Sequence, residues 1–431
     1  MKNFLYISYQ FNNPSSSAGV RCRGFAKYLP MYGWNPIVLT PDVRGNREFP
    51  EFDVYRTDYE YMEDKWRRRL HLPEKDMGSN VPTKNDDDNE DGLSSRLMKK
   101  GVHILGELFA FPDGMKGWYA PAMAKAREII EEEDIQLILS SSPPVTPHKI
   151  ASDLSEEFDI PWVANLHDLW TQDPYKKHNF IRQYREKKYE LKTLSNAKCL
   201  VTNAPKASNK LRELHNLPTR TVLTGYDDKL YYLPPRDSDK FVLTYAGILY
   251  GGKRDPRPLF RAVDDLIHEG VMDPDKMELR FYGDNSGLKG VAQEYNLQDI
   301  VKLYGRVPHD EIIERELEST ILLLLSWINP YEKYVVPGKI FEYLALHKPI
   351  LSIGHPDCAV GEIIKKTQTG INVTTYEEIK KQLHKYYLEY QKNGKIEYNG
   401  IEKEINKYSV VNTSKQLAKL FNQIQGNITL C

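Results

Sequence analysis

Short apolar runs of strand length alternate with amphipathic stretches of helix length along almost the whole chain. This alternation is typical of parallel sheets whose strands are joined by crossover helices. In the first half, the runs predicted to be strands are 4–8, 36–40, 136–140, 162–166, 199–203 and 221–224. In the second half they are 242–246, 278–282, 300–304, 320–325 and 349–353. The pattern therefore predicts an α/β protein with doubly wound sheets.

Two domains are predicted because the alternation restarts after residues 226–240, a charged stretch that contains Pro234 and Pro235. A length of 431 residues fits two or three domains. We expect a first domain at 1–225, a linker at 226–240, a second domain at 241–405 and a C-terminal helix at 406–431. A cleft between the domains should open at the linker.

The charge balance argues against a nucleic-acid partner, because the formal net charge is -1 and such partners require a strong basic field. Cys22, Cys199, Cys358 and Cys431 lack the short spacing of a metal site and fit a reducing compartment. The longest apolar run, 321–325, is too short to span a membrane. We therefore expect a cytoplasmic protein with neither a metal ion nor a bound cofactor.

Residues 73–95 interrupt the alternation with an acidic sequence containing Gly, Ser and Pro, and are predicted to form a mobile insertion. Its acidic run, 86–91, is interpreted as a solvated loop, since no framework would hold its oxygens around a cation. The stretch 97–110 is predicted to be an amphipathic core helix or, less favoured, a helix on a membrane surface. The second alternative would give peripheral contact with the inner face of a membrane.

The run 337–343, Pro-Gly-Lys-Ile-Phe-Glu-Tyr, has the features of a helix start. Proline suits the first helical turn, and the free amides there attract anions such as phosphate. Helical spacing places an apolar stripe on one face, made of Ile340, Phe341, Leu344 and Ala345, with Lys339 and Glu342 opposite. A carboxylate one turn into the helix could accept hydrogen bonds from ribose hydroxyls. The alternative is a surface ion pair between Lys339 and Glu342.

Two candidate positions in the first half follow predicted strands, and ligands bind beyond the carboxyl ends of strands in open parallel sheets. Gly19 lies in a loop of small residues before a helix predicted to begin near Val20, where a phosphate or sugar could approach. His167 stands next to Asp168 and could act in acid–base chemistry or orient a substrate hydroxyl. The alternative for His167 is a local hydrogen bond within the loop.

A third candidate position opens the second half, where Gly247 follows the predicted strand 242–246. Glycines in the next turn permit close approach of the backbone, and Lys253 and Arg254 offer positive charge to a diphosphate. The alternative is a solvated basic turn. This segment is therefore a further candidate anion site.

Taken in order, these motifs resemble the family-4 retaining glycosyltransferases of the GT-B fold, and the resemblance covers nearly the whole chain. The segments that carry it are 6–9, 21–29, 141–144, 167–168, 225–227, 247–253, 337–342 and 408–424. The resemblance implies two Rossmann-like domains facing a cleft, with a C-terminal helix that crosses back to the N-terminal domain. The segment 337–342 further resembles a subgroup linked to cell-surface polysaccharide assembly.

The resemblance implies an enzyme that moves a sugar from a UDP- or GDP-linked donor to a hydroxyl of a glycan or lipid-linked acceptor. It implies retention at the anomeric carbon and no metal ion. The implied catalytic residues are His167, Lys253 and Glu342. The implied donor-binding residues are Gly19, Gly247, Lys253, Arg254, Gly338, Lys339 and Glu342. Among them, Glu342 is expected to hold the ribose, Lys253 the diphosphate, and His167 to lie beside the transferred sugar.

Two positions depart from the family pattern. Tyr334 stands where the family commonly has a glutamate that reaches the donor sugar, and Ile248 where it often has an arginine. Glu332 or the backbone amides of 337–339 could substitute for these contacts. The alternatives to a transferase are a nucleotide-sugar epimerase of the same fold, which needs no acceptor, and a non-catalytic sugar- or nucleotide-binding protein or scaffold.

Overall fold

The computed structural model describes residues 1–14, 16–43, 47–59, 111–173, 179–234, 236–285, 287–330 and 332–428. Within these ranges the chain forms two parallel sheets flanked by helices, so the predicted α/β class is confirmed. The insertion predicted at 73–95 and the helix predicted at 97–110 lie outside the described residues. Among the helices of the described ranges, none has the length and apolarity needed to cross a membrane.

The strands of the first sheet are β1 (Lys2–Ser8), β2 (Trp34–Asp42), β3 (Asp53–Asp58), β4 (Ile135–Ser142), β5 (Trp162–Leu166), β6 (Cys199–Thr202) and β7 (Thr219–Thr221). They lie in the order β3-β2-β1-β4-β5-β6-β7. The helices described between them are α1 (Ser17–Tyr28), α2 (Tyr119–Glu132), α3 (Thr146–Phe158), α4 (Phe180–Leu194) and α5 (Pro205–His215).

The strands of the second sheet are β8 (Phe241–Ala246), β9 (Met277–Tyr282), β10 (Val301–Gly305), β11 (Ile321–Leu325), β12 (Ile350–Ile353) and β13 (Gly370–Val373). They lie in the order β10-β9-β8-β11-β12-β13. The remaining described helices are α6 (Asp228–Tyr231), α7 (Arg257–His268), α8 (Leu288–Glu294), α9 (His309–Leu317), α10 (Lys339–Ala345), α11 (Ala359–Thr367), α12 (Tyr376–Asn393), α13 (Glu402–Ile405) and α14 (Val410–Gln425).

The central strands are continuous apolar runs because helices cover both faces of the sheet. All six residues of β8 and all five of β11 are buried. In the first sheet, the register places Ser8 opposite Ser141, and Ser141 opposite Asn165. Since the strands are parallel, these polar residues meet at the carboxyl edge, where ligands bind in such sheets.

The chain forms two compact units. Unit 1 comprises Met1–Val201, Leu211–Thr219 and Ala418–Cys431, and unit 2 comprises Thr202–Lys210 and Arg220–Leu417. The second half of α14 therefore belongs to unit 1. There Phe421 is fully buried and packs edge to face on Phe4 and Trp34, with ring centroids 5.4 and 5.1 Å apart.

Two local predictions are corrected by the structure, and two strands are additional to the prediction. The strand predicted at 221–224 lies at Thr219–Thr221, since beyond Val222, whose amide donates to the Thr202 carbonyl, the chain leaves the sheet. The first helix begins at Ser17 rather than near Val20, because the Ser16 side chain caps it by accepting a hydrogen bond from the Gly19 amide. Strands β3 and β13 were not predicted.

Candidate functional site

The predicted anion-binding turn of unit 2 follows β8. The Gly247 amide donates to the Tyr282 carbonyl at 3.0 Å. Tyr250, Gly251 and Gly252 then adopt left-handed φ values of 50°, 62° and 85°, a conformation in which glycine carries no steric penalty. The turn brings Lys253 and Arg254 back beyond the end of β8, since the Arg254 amide donates to the carbonyl of Leu249 at 3.1 Å.

Arg254 is held from two sides. Its guanidinium lies 4.6 Å from the centroid of the Tyr250 ring, and its Nη2 atom lies 3.7 Å from Glu332 Oε1. The side chains of Arg254 and Glu332 are only 12% and 2% exposed. In this structure Glu332, which we considered as a substitute contact to the donor sugar, is therefore paired with Arg254.

Lys253 lies over an aromatic ring from the neighbouring strand end. Its Nζ atom is 4.8 Å from the centroid of the Trp327 ring, and Trp327 follows β11 by two residues. β8 and β11 are adjacent in the sheet. The ring face attracts the ammonium and restricts its position at the carboxyl edge.

Helix α10 carries the predicted Lys339 and Glu342. It begins at Lys339, with Gly338 as its N-cap residue, so Pro337 precedes the helix instead of occupying its first turn. The predicted apolar stripe is buried, and Tyr343 is buried with it. The ion pair of our alternative interpretation is present, with Lys339 Nζ 2.7 Å from Glu342 Oε2. However, the two side chains are only 24% and 22% exposed.

Helix α9 adds two residues that the sequence did not single out. Glu316 is fully buried, and its Oε1 atom lies 3.3 Å from Lys339 Nζ. His309 Nε2 donates a hydrogen bond to Glu342 Oε1 at 3.0 Å. We call His309, Glu316, Lys339 and Glu342 the Lys339 cluster. The sequence did contain an indication that Glu316 is special. It is a glutamate at the helical spacing of the buried face of α9, which it shares with Ile312, Ile313 and Leu317.

The pKa values of the Lys339 cluster follow from burial and pairing. Burial raises the pKa of Glu316 to about 7. Burial would also raise the pKa of Glu342, but the charge of Lys339 and the hydrogen bond from His309 outweigh it and lower the pKa to about 2. The hydrogen bond to Glu342 raises the pKa of His309. At neutral pH Glu342 is therefore an anion that can accept hydrogen bonds, while Glu316 is close to its titration midpoint.

In unit 1, His167 directly follows β5 and is 9% exposed. Its Nδ1 atom is 3.8 Å from Asp168 Oδ1, which is longer than a hydrogen bond. Its buried Nε2 atom has no hydrogen-bond partner among the described residues. The contact of His167 with the transferred sugar stays a prediction.

A buried polar network supports this edge of unit 1. Arg21, 1% exposed, donates from Nη2 to Asn165 Oδ1 at 3.0 Å. Asn165 Nδ2 in turn donates to Ser141 Oγ at 2.7 Å. Burial lowers the pKa of Arg21 to about 10. The network joins α1 to the carboxyl ends of β4 and β5.

Gly19 lies in the first turn of α1, under the loop that follows β1. A Cβ atom at this position would lie 2.4 Å from the Gln10 carbonyl oxygen and 2.8 Å from that of Asn13. Backbone oxygens cannot yield as a flexible side chain can. The close packing of loop and helix therefore requires glycine here.

The structure groups the predicted site residues within each unit. In unit 2, Lys339 and Glu342 are paired on α10 with Gly338 at its start, and Gly247, Lys253 and Arg254 share the segment after β8. In unit 1, Gly19 and His167 follow β1 and β5. A cavity of 1260 Å³ in unit 1 lies elsewhere, because its lining residues Pro161 and Lys198 precede β5 and β6.

Among the residues that the structure describes, no group of three or more His, Cys, Asp or Glu side chains could hold a metal ion. The acidic run 86–91 lies outside the described ranges. The described site residues offer two cations, Lys253 and Arg254, and an ionised carboxylate, Glu342.

The fold is shared with solved glycosyltransferase structures. Sucrose-phosphate synthase from Thermosynechococcus elongatus is 14% identical, with a TM-score of 0.60, covering 99% of this chain and 100% of that one. A glycosyltransferase from Rickettsia africae is 16% identical, with a TM-score of 0.60 and 99% coverage of each chain. HepE from Anabaena, in complex with UDP and glucose, is 14% identical, with a TM-score of 0.61, covering 98% of this chain and 100% of that one.

At these identities the structural similarity establishes the fold, which is GT-B. Residues 81–230 also match the family model described as Glycosyltransferase Family 4, and the protein is thus a glycosyltransferase. This match confirms, over residues 81–230, the resemblance found in the sequence. No curated protein matches the chain. The subgroup suggested by 337–342 stays a prediction.

Proposed function

We propose that this glycosyltransferase moves a sugar from a nucleotide diphosphate to a hydroxyl group of an acceptor, with retention at the anomeric carbon and without a metal ion. The observation that carries the proposal is the ionised Glu342 on α10, held by Lys339 and His309 at 2.7 and 3.0 Å. A carboxylate offers about four acceptor positions. After these two contacts, positions are left for the two hydroxyls of a ribose.

The donor base is proposed to be uracil first and guanine second. HepE, which shares the fold, is described in complexes with UDP and with UDP-glucose. Lys253 and Arg254 in the turn after β8 would supply positive charge for the diphosphate, and Gly338 a backbone amide. Gly247 would only permit close approach of the backbone, because its amide already donates to the Tyr282 carbonyl. Fixed cations of this kind stabilise the charge that develops on a departing diphosphate, and such electrostatic stabilisation usually contributes most to lowering the barrier.

In the proposed step, the bond from the anomeric carbon to the diphosphate oxygen breaks, and the acceptor oxygen bonds to that carbon on the same face. The acceptor proton passes to a diphosphate oxygen, so no side chain is required as an essential base. Lys253 and Arg254 would offset the negative charge on the leaving group. His167 Nε2 would bind a sugar hydroxyl, and Gly19 would admit the donor phosphates.

The acceptor is proposed to be a glycan or a lipid-linked sugar, in polysaccharide or glycoconjugate synthesis on the cytoplasmic side of a membrane. This rests on the resemblance of 337–342 to the polysaccharide-assembly subgroup. Membrane fractionation of cells expressing the protein tests the lipid-linked alternative. Recovery entirely in the soluble fraction would count against it.

The test of the donor site is calorimetric titration of the full chain with UDP, GDP and ADP. Glu342→Ala and Lys253→Ala should each weaken nucleotide binding by roughly tenfold or more, the size of a lost charge-assisted hydrogen bond. Glu311→Ala is the matched control, because Glu311 lies on the exposed side of α9. Unchanged affinity in both site variants would contradict the assignment.

The same titration separates the alternatives. If no nucleotide binds the wild-type protein, the scaffold becomes the better interpretation. If one nucleotide binds, incubation with the matching nucleotide sugar follows. Conversion of the sugar without any acceptor would favour an epimerase, whereas release of the nucleoside diphosphate that depends on an added acceptor would support the transferase.

A further inference from the structure

We propose that Glu316 is a positioning residue for Glu342, acting through Lys339. By sharing the Lys339 ammonium, Glu316 prevents that cation from occupying Glu342 completely and leaves the Glu342 carboxylate open to the hydroxyls of a nucleotide. This inference rests on the proposed function, in which Glu342 receives the ribose. It adds a residue on a different helix to the proposed donor site.

The geometry of the Lys339 cluster supports this role. Lys339 Nζ lies between two carboxylates, 3.3 Å from Glu316 Oε1 and 2.7 Å from Glu342 Oε2. Glu316 is fully buried, and neither of its carboxylate oxygens takes part in a hydrogen bond among the described residues. The ion pair with Lys339 is thus the contact that offsets a buried charge, and it shares between Glu316 and Glu342 an ammonium that lies closer to Glu342.

Placing a carboxylate at this position carries a cost. Burying a charge is unfavourable even when it is paired, and a neutral residue of similar volume is often tolerated better. A glutamate on the buried face of α9 is therefore poorly explained by stability alone. A role in positioning Lys339 relative to Glu342 would explain why a glutamate is present there.

The groups that face Glu316 come from several elements. α10 presents Lys339, Glu342 and Tyr343, all of which interact electrostatically with Glu316. His309 lies at the start of its own helix. From β8, the uncharged Thr244 faces α9 and accepts a hydrogen bond from Ser319 at 2.6 Å.

Strand β9 contributes a titratable group that packs against another part of α9. Tyr282 packs against Ile312 of α9 and interacts electrostatically with Arg315 and Glu318.

Because burial raises the pKa of Glu316 to about 7, the sharing of Lys339 is complete above neutral pH. It is lost as Glu316 takes up a proton below neutral pH.

The consequence is a pH dependence of nucleotide affinity. When Glu316 is neutral, Lys339 pairs with Glu342 alone, and His309 occupies the other Glu342 oxygen. The ammonium, no longer shared, then competes more strongly with a ribose hydroxyl for the lone pairs of Glu342 Oε2. The affinity for the nucleotide should therefore weaken as the pH falls from 8 to 6. Glu316→Gln should show the weaker affinity at every pH.

The experiment measures the dissociation constant of UDP, or of whichever of UDP, GDP and ADP binds, at several pH values between 6 and 8.5. It compares His309→Gln with His309→Gln/Glu316→Gln, so that the imidazole does not contribute to the profile. The expected result is a roughly fivefold weakening at pH 8 in the double variant, the size of a partly lost charge-assisted contact. The dissociation constant of the double variant should not change with pH. The affinity of His309→Gln should weaken as the pH falls, and at pH 6 it should reach the value of the double variant.

A double-mutant cycle tests whether Lys339 transmits the effect. In a Lys339→Gln background, Glu316→Gln should leave the dissociation constant unchanged at pH 8. Glu311→Gln, on the exposed side of the same helix, is the control for a general effect of charge. Circular dichroism and thermal melting establish that each variant is folded.

The outcomes separate this inference from the proposed function. If the wild-type protein binds a nucleotide and Glu342→Ala weakens it, but the two pH profiles are parallel, the role of Glu316 is overturned alone. An effect of Glu316→Gln that persists in the Lys339→Gln background also overturns it. If the wild-type protein binds no nucleotide, the proposed function fails and this inference fails with it.

Discussion

Arg254 and Glu332 form an ion pair in which Nη2 and Oε1 are 3.7 Å apart and both side chains are nearly buried. The pair joins the turn after β8 to the loop after β11. A second pair, between Arg236 and Glu314, has the same 3.7 Å separation, but its side chains are 46% and 59% exposed. The two pairs differ chiefly in burial, so they form a natural comparison.

Glu332→Gln is expected to destabilise the protein by about 2 kcal/mol, because it removes the buried negative charge that Glu332 places beside Arg254. Glu314→Gln should have an effect close to zero, since exposed pairs are screened by water. Urea unfolding of both variants measures the difference. Equal free energies of unfolding in the two variants would contradict the importance of burial here.

Gly19→Ala is expected to destabilise unit 1 by about 2 kcal/mol, because the added methyl group would collide with backbone oxygens. Gly290→Ala is the control. Gly290 lies within α8, and nothing is within 4 Å of a Cβ atom there. That substitution should stabilise the protein by up to about 1 kcal/mol, through helix propensity. Thermal melting compares them, and a neutral Gly19→Ala would show that the loop after β1 can shift.

Glu316→Gln is expected to stabilise the protein at pH 8 and to have no effect at pH 4. Burial raises the Glu316 pKa to about 7, so the folded state binds this proton more tightly than the unfolded chain, whose glutamates titrate near about 4.3. The resulting stability is present below the unfolded value and is lost as the pH rises through 7. Removing the charge at pH 8 should therefore restore about 2 kcal/mol.

Chemical denaturation at pH 4 and pH 8 measures this difference, and Glu311→Gln on the exposed side of α9 controls for the change in net charge. Destabilisation by Glu316→Gln at pH 8 would show that the attraction of Lys339 exceeds the cost of burying Glu316. In that case the folded-state pKa would lie below the ordinary glutamate value.

Trp327→Leu is expected to weaken nucleotide binding by about threefold, because the Lys253 ammonium loses the ring face that restricts its position. Trp327→Tyr should retain most of the affinity, since it keeps an aromatic ring. Calorimetric titration with the nucleotide that binds measures both. A loss as large in Trp327→Tyr as in Trp327→Leu would mean that Trp327 acts through its size and not through the cation–π contact.

The sequence predicted the central strands of both sheets because these are buried on both faces and must be continuously apolar. It did not predict β3 (Asp53–Asp58) and β13 (Gly370–Val373). Both are edge strands with one neighbour, and most of their residues are partly or fully exposed. A strand with a solvated side needs no apolar run, so the composition gave no signal.

Only part of the candidate site could be predicted from the sequence. The pairing of Lys339 with Glu342 follows from their helical spacing, and the sequence contains it. The contacts of Glu316 and His309 with that pair depend on how α9 packs beside α10, and no local pattern encodes such a distance. A carboxylate at an apolar position of α9 was the one available signal.

The placement of Phe421 against Phe4 and Trp34 has a consequence for biosynthesis. A polypeptide emerges from the ribosome amino end first, and domains fold as their segments become available. The core of unit 1 therefore waits, open beside Trp34, until Ala418–Cys431 has been translated. All the strands of unit 2 are translated before that segment, since the last of them, β13, ends at Val373. The unit whose strands are made first thus needs a segment that is made after all the strands of unit 2, and the nascent chain must protect that aromatic surface until Phe421 has emerged.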